Sequence, residues 1–311
     1  MRTLNKHLDI YLKLRRQLGF KLVEAERNLR KFVNHAKSKR VSFVTTKLAL
    51  QWATRPTTVK PTQWATRYGM VRQFAEYLSA VDPRTEIPPQ KLLPFPLRRR
   101  DPHIYRDEEV RQLINAAGQI RSPKGLKGIT YFTLFGLLAV TGMRIGEVLN
   151  LDREDVDLEQ GLLTIRRGKG NKSRLVPVHA STQTALRYYA TLRDRVCRRP
   201  MTPSFFVSED GERLLHCTVH HWFILLSRRI GLRGPDDRQG PRLHDLRHRF
   251  AIQTLVGWYR SKKDVEQHLP ELATYLGHVH VRFTYWYLSA TPELLQMATR
   301  RLPHIKGEWY S

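Results

Sequence analysis

The stretch RLHDLRHRFA at 242–251 sets His244, Arg247 and His248 at i, i+3 and i+4. On a helix, two imidazoles and a guanidinium then share one face. In an isolated H-x-x-R the ordinary meaning is a solvated basic face. Three other stretches give it company. In TGMRIGE (141–147), Arg144 follows Gly142 where one helix stops and another begins. A guanidinium and the free N–H groups of a helix start then point the same way, an arrangement suited to phosphate. In LLTIRRGKGNKSRLVPV (162–178), a glycine-flanked turn presents Lys169, with Lys172 close behind. In LGHVHVRFTYWYL (276–288), His278 is followed nine residues later by Tyr287, with Tyr285 two positions before it. Helical residues two apart diverge by about 200°, so only one of these tyrosines can face the basic groups.

The rest of the chain is built to meet a polyanion. Its 311 residues carry 54 Lys and Arg against 28 Asp and Glu, a net +26. Solubility alone calls for no such excess. Residues 1–90 hold 18 basic and 6 acidic side chains (+12), and residues 91–311 hold 36 and 22 (+14), so both parts are expected to touch the partner. Nucleic acid is favoured over membrane because no basic amphipathic anchor or lipidation signal is visible. Cys197 and Cys217 make no disulfide framework, and the first 30 residues are too charged for a secretory leader. The nearly apolar run from Ile129 to Val140 spans 12 residues, short of the roughly 20 a bilayer needs. It reads as a buried helix, and a reducing cytoplasm, at the nucleoid, is the expected setting.

These groups must be held by elements that the pattern also predicts. Leu4, Leu8, Tyr11 and Leu12 keep helical spacing, and Val23, Leu29, Phe32 and Val33 suggest a second helix. Thr46 is expected to cap a third, and 59–80 forms a fourth. The repeated pentapeptide QWATR at 51 and 63 extends no further and marks no internal repeat. Six prolines and three consecutive arginines between Asp82 and His103 predict extended chain. The expected division is a helical bundle over 1–82, a basic proline-rich linker over 83–103 and a second domain over 104–311. That domain opens with helices after DEEV (107–110) and shows one β-hairpin, Leu162–Arg166 with Arg174–Val178. Helices then resume: one capped by Thr218 through Ile230, one from near Arg242, and others over 269–276, 282–288 and from Pro292. The fold class is mainly α with a small β-sheet, in two domains.

Taken in order, Arg144, Lys169 on a hairpin, H-x-L-R-H, L-G-H and a Tyr nine residues on resemble the tyrosine recombinases, the phage integrase family. The resemblance runs from Arg144 to Tyr287, and the helical first segment and linker are similar to that family's SAM-like core-binding, DNA-clamping domain. It implies an enzyme, a site-specific DNA recombinase that breaks and rejoins strands through a 3′-phosphotyrosyl bond and a Holliday junction, without metal, cofactor or ATP. Its implied partner is double-stranded DNA bearing specific recombination sites. Its implied assembly is a homotetramer on two sites, open to related recombinases and accessory proteins; integration, excision, transposition of a mobile element and chromosome resolution are the kinds of event it leaves open. By the same resemblance Arg144 and Arg247 grip the scissile phosphate, and Glu147 steadies Arg144. Lys169, with Lys172 as competitor, protonates the leaving 5′ oxygen. His244 transfers a proton, His278 is a hydrogen-bonding histidine, Tyr287 is the nucleophile and His248 serves positioning rather than chemistry. The chemistry is consistent on its own terms. A pentavalent phosphorus transition state carries extra negative charge that two forked guanidiniums can offset, and a phenol of pKa near 10 needs cations or a base beside it.

Blander meanings stand beside these. The family spacing selects Tyr287, leaving Tyr285 and Trp286 to aromatic core packing. His216 and His220 in HCTVHH have a zinc-like spacing, but no second ligand cluster is evident and a DNA-facing surface is expected. The 31 residues from Arg247 to His278 exceed the family spacing, and 256–270 reads as extra material in a loop. The stripe Leu294, Leu295, Ala298 and Leu302 suits docking into a neighbouring protomer or packing on its own domain. Two rival functions share the pattern: an inactive DNA-binding accessory protein of a mobile element, and a type IB topoisomerase-like or hairpin-resolving enzyme.

Overall fold

A computed structural model describes residues 3–94, 101–166, 173–289 and 291–300. The turn bearing Lys169 and Lys172 lies outside these residues, as does Leu302. The chain forms two compact units, 1–100 and 101–311.

The first unit packs four helices, α1 (Leu4–Gln17), α2 (Val23–Ser38), α3 (Thr46–Thr54) and α4 (Pro61–Ser79). Leu4, Leu8, Tyr11 and Leu12 form the buried stripe of α1, and they meet Leu29, Phe32, Trp52, Val71 and Phe74 in one apolar core. The cap of α3 is Thr45, not Thr46: the Thr45 hydroxyl accepts the Leu48 N–H at 3.1 Å. Pro61 opens α4, where its missing N–H costs nothing. Part of the proline-rich stretch belongs to this unit. Thr85 is buried, the Glu86 amide donates to the Val44 carbonyl at 2.9 Å, and Leu93 packs on the core.

The second unit is built round α6 (Leu126–Thr141), which is apolar on nearly every side because α5 (Asp107–Gly118), α8 (Ala180–Val196) and α10 (Leu243–Arg260) pack against it. The short α7 (Ile145–Leu149) follows, then a three-stranded antiparallel meander of β1 (Val156–Asp157), β2 (Leu162–Ile165) and β3 (Arg174–Pro177). The sequence pattern predicts the β2–β3 pair but not β1, whose two residues are too few for alternation to register. Register pairs Leu163 with Val176 and Ile165 with Arg174, and Leu163, Ile165 and Val176 face the core. The helix α9 (His216–Arg229) starts before Thr218, which caps nothing; its start follows Leu215 in extended conformation, because Val219, Phe223 and Leu226 carry the buried register back a turn.

A second core in this unit gathers α10, α11 (Val265–Leu276), α12 (Arg282–Tyr285), the 3-10 turn Trp286–Ser289 and α13 (Pro292–Thr299). The stretch 256–270 is not a loop insertion. It supplies the last turn of α10 and the first turns of α11, with Val256, Val265 and Leu269 buried and Asp264 capping α11 through the Glu266 and Gln267 amides. Leu294 of α13 is wholly buried in its own unit, while Leu295 is exposed. None of the described helices is long and apolar enough to cross a membrane.

Candidate active site

Gly142 ends α6 at φ +61°, a conformation that an L side chain adopts only with strain, and Phe250 occupies the space a Cβ would need. The chain therefore turns sharply, and Arg144 emerges extended as the N-cap of α7. Glu147, one turn on, accepts the Arg144 amide at 3.0 Å and its Nη1 at 2.7 Å. Arg144 Nη2 donates to the Gly277 carbonyl at 3.0 Å.

Arg247, on the second turn of α10, is 2% exposed. Its Nη1 donates to the Gly142 carbonyl at 2.9 Å and its Nη2 to the Leu276 carbonyl at 2.6 Å. Burial, aided by the Arg144 charge, pushes its pKa down to about 10, which still leaves it protonated at neutral pH. The carbonyls that Arg247 and Arg144 bind belong to helix ends, where they lack intrahelical partners and carry the negative pole of the dipole.

On the same face of α10, His244 and His248 meet edge to face with centroids 4.8 Å apart. Solvent still reaches His244, but the protein packed round its ring and the Arg247 charge push its pKa down to about 4, so the imidazole is neutral at pH 7. His248 is buried, 5.5 Å from the Tyr287 ring and 5.3 Å from Trp286. His278 follows the turn at Gly277; its Nδ1 lies 2.8 Å from the Thr284 hydroxyl and its ring stacks on Tyr287 at 6.2 Å. Tyr287 is 2% exposed. Tyr285 is 48% exposed and is not the core residue expected; the core place belongs to Tyr287.

The structure thus brings together Arg144, Glu147, His244, Arg247, His248, His278 and Tyr287 from three separate stretches. A model of the phage integrase family matches residues 104–293, more than half of the chain. The chain belongs to this family of tyrosine recombinases.

Relatives agree over most of its length. The Sinorhizobium fredii protein y4rB, whose name assigns it provisionally as an integrase/recombinase, is 48% identical over 97% of this chain and 98% of its own. The tyrosine recombinase XerA of Thermococcus onnurineus is 30% identical over 70% and 69%. Among solved structures, the Tn1549 transposon integrase in complex with transposon right-end DNA has a TM-score of 0.61 at 14% identity, covering 95% of this chain and 99% of that one. A lambda integrase tetramer bound to a Holliday junction has a TM-score of 0.59 at 16% identity, covering 92% and 77%. At those identities the likeness is one of fold. The protein is accordingly a DNA recombinase enzyme, mostly helical with a small sheet.

Two further residues of this recombinase escape the sequence reading. Arg174, at the start of β3, is bound to both oxygens of Glu147, Nη1 to Oε1 at 3.0 Å and Nη2 to Oε2 at 2.8 Å. Burial resists ionisation of Glu147, yet the Arg174 bonds, the Arg144 amide and both guanidinium charges hold its pKa at about 2. A signal for Arg174 exists: strand alternation puts it on the face of buried Val176, where an arginine needs a partner. Thr284 is the other. It is fully buried and braces His278, and nothing in its local pattern marks it.

Proposed function

We propose that this recombinase cuts and rejoins DNA at specific sites through a 3′-phosphotyrosyl link to Tyr287. The observation that carries the reading is that Tyr287 packs against His248 and His278, and that His278 directly follows the Leu276 and Gly277 carbonyls that hold Arg247 and Arg144. The Tyr287 hydroxyl attacks phosphorus, the bond to the 5′ oxygen breaks, and the two guanidiniums offset the charge that builds on the non-bridging oxygens. Neutral His244 can accept the phenolic proton. Lys169, outside the described residues, is assigned the proton for the leaving 5′ oxygen. Attack by a partner strand's 5′-hydroxyl reverses the sequence, so bond energy is kept and no nucleotide is consumed.

A tetramer on two sites passing through a Holliday junction is the expected assembly, supported by the fold shared with the lambda integrase tetramer. The helical first unit, basic over residues 1–90, is assigned to clamp the duplex. The test is a nicked suicide duplex, drawn from a randomised pool enriched by binding to the protein. Wild type should be trapped as a covalent adduct, and Tyr287→Phe should bind without trapping. Tight binding by wild type with no adduct would leave an accessory protein; relaxation of any plasmid regardless of sequence would leave a topoisomerase-like enzyme.

A further inference from the structure

Three successive carbonyls at the end of α11 are each taken by a different guanidinium. Arg174 Nε donates to Tyr275 at 2.7 Å, Arg247 Nη2 to Leu276 at 2.6 Å and Arg144 Nη2 to Gly277 at 3.0 Å. Arg247 and Arg144 are the phosphate ligands of the proposed reaction; Arg174 has no part in it so far. We propose that Arg174 is a positioning residue for DNA cleavage, setting the guanidinium of Arg144 by gripping Glu147 and the end of α11 together.

Each nitrogen of the Arg174 guanidinium is engaged with protein, and its side chain is 10% exposed, against 22% for Arg144. Arg144 is thus the more open of the two toward an incoming anion, and Arg174 works from behind it. The charges support this. Glu147 alone would neutralise Arg144 and hold it as a closed ion pair. With Arg174 bound to both carboxylate oxygens, one carboxylate faces two guanidiniums, so a net positive charge remains for phosphate.

Glycine at 277 makes the arrangement possible. A Cβ there would lie 2.8 Å from Arg174 Nη1 and 3.0 Å from its Cζ, so the backbone can meet the guanidinium only without a side chain. Arg174 is also the strand partner of Ile165, the pair of the β2–β3 hairpin farthest from Leu162 and Pro177. One residue thereby ties that hairpin, α7 and the end of α11 to a common frame.

The inference rests on the proposed function, and one experiment separates the two. Adduct formation on the nicked duplex is followed in single turnover from pH 4.5 to 8 for wild type, Arg174→Gln and Arg174→Lys, with duplex affinity and melting temperature measured alongside. Arg174→Gln should bind DNA within about threefold of wild type yet cleave roughly 10- to 100-fold more slowly, the loss expected from a misplaced reacting group. Its acid limb should move to higher pH, because Glu147 loses the cation that keeps it ionised. Arg174→Lys should recover part of the rate. If the Gln variant does not fold, the Lys variant decides: slower cleavage at wild-type duplex affinity supports the role, and a wild-type cleavage rate overturns it. A wild-type adduct with folded variants that cleave normally sinks this inference alone, whereas no wild-type adduct sinks the functional reading with it.

Discussion

Arg247 has lost nearly all contact with water, and both of its Nη groups already hold carbonyls. Such a group reacts to substitution twice, because its removal takes charge from the site and strands two buried acceptors. Arg247→Ala should slow adduct formation by on the order of 10²- to 10³-fold and lower the melting temperature; a stable variant with the wild-type rate would refute the assignment. Tyr285, half exposed two residues before Tyr287, is expected to be dispensable: Tyr285→Phe should trap DNA at the wild-type rate. Glu147 makes a pH prediction. Its folded pKa, about 2, lies below the ordinary carboxylate value. The stabilisation is therefore present above the unfolded value of about 4.3, and is lost as pH falls from there toward 2. Denaturant melts of Glu147→Gln and wild type should differ most at pH 6 to 7 and converge near pH 2. A constant difference across that range would contradict the linkage.

At the level of elements, the end of α11 does more than connect helices. Its last carbonyls take three arginines, and the glycine that ends it stands at φ +67°. Gly277→Ala combines an unfavourable backbone conformation with a clash against Arg174, so a loss of about 1–3 kcal/mol is expected by chemical denaturation. A neutral Gly277→Ala would mean that Arg174 swings aside freely. The helix α13 is held by Leu294, wholly buried where α13 packs on α10 and the Tyr287 turn, and Leu294→Ala should cost about 2–5 kcal/mol. Elements with a strong local signature, the periodic α1 and the nearly apolar α6, are legible from their residues. The interval 256–270 is not, because whether residues beyond a helix end continue it depends on buried neighbours. Val265 and Leu269 look like loop residues until the second core is there to receive them. The two-residue β1 escapes for the same reason: its evidence is its partner, Leu162 and Leu163.

Over the whole molecule, positive charge dominates both the first 90 residues and the remainder. Binding to duplex DNA should weaken steeply with salt, with a log-log slope of about −0.9 for each phosphate neutralised. A slope worth fewer than about three contacts would count against a clamp. Composition, spacing and charge are properties of the chain before it folds, which is why the family and the mainly helical class with a small sheet can be read from residues in order. The family spacing selects Tyr287 over Tyr285 as the expected nucleophile, but the burial of Tyr287 against His248 and His278 is not legible there. The tie between Arg174 and Glu147 joins residues 27 positions apart, and the bond from Arg144 to Gly277 spans 133. No local pattern encodes such contacts. They exist because two cores bring β3, α7, α10 and the end of α11 to one place, and there the helix-end carbonyls decide where each guanidinium points.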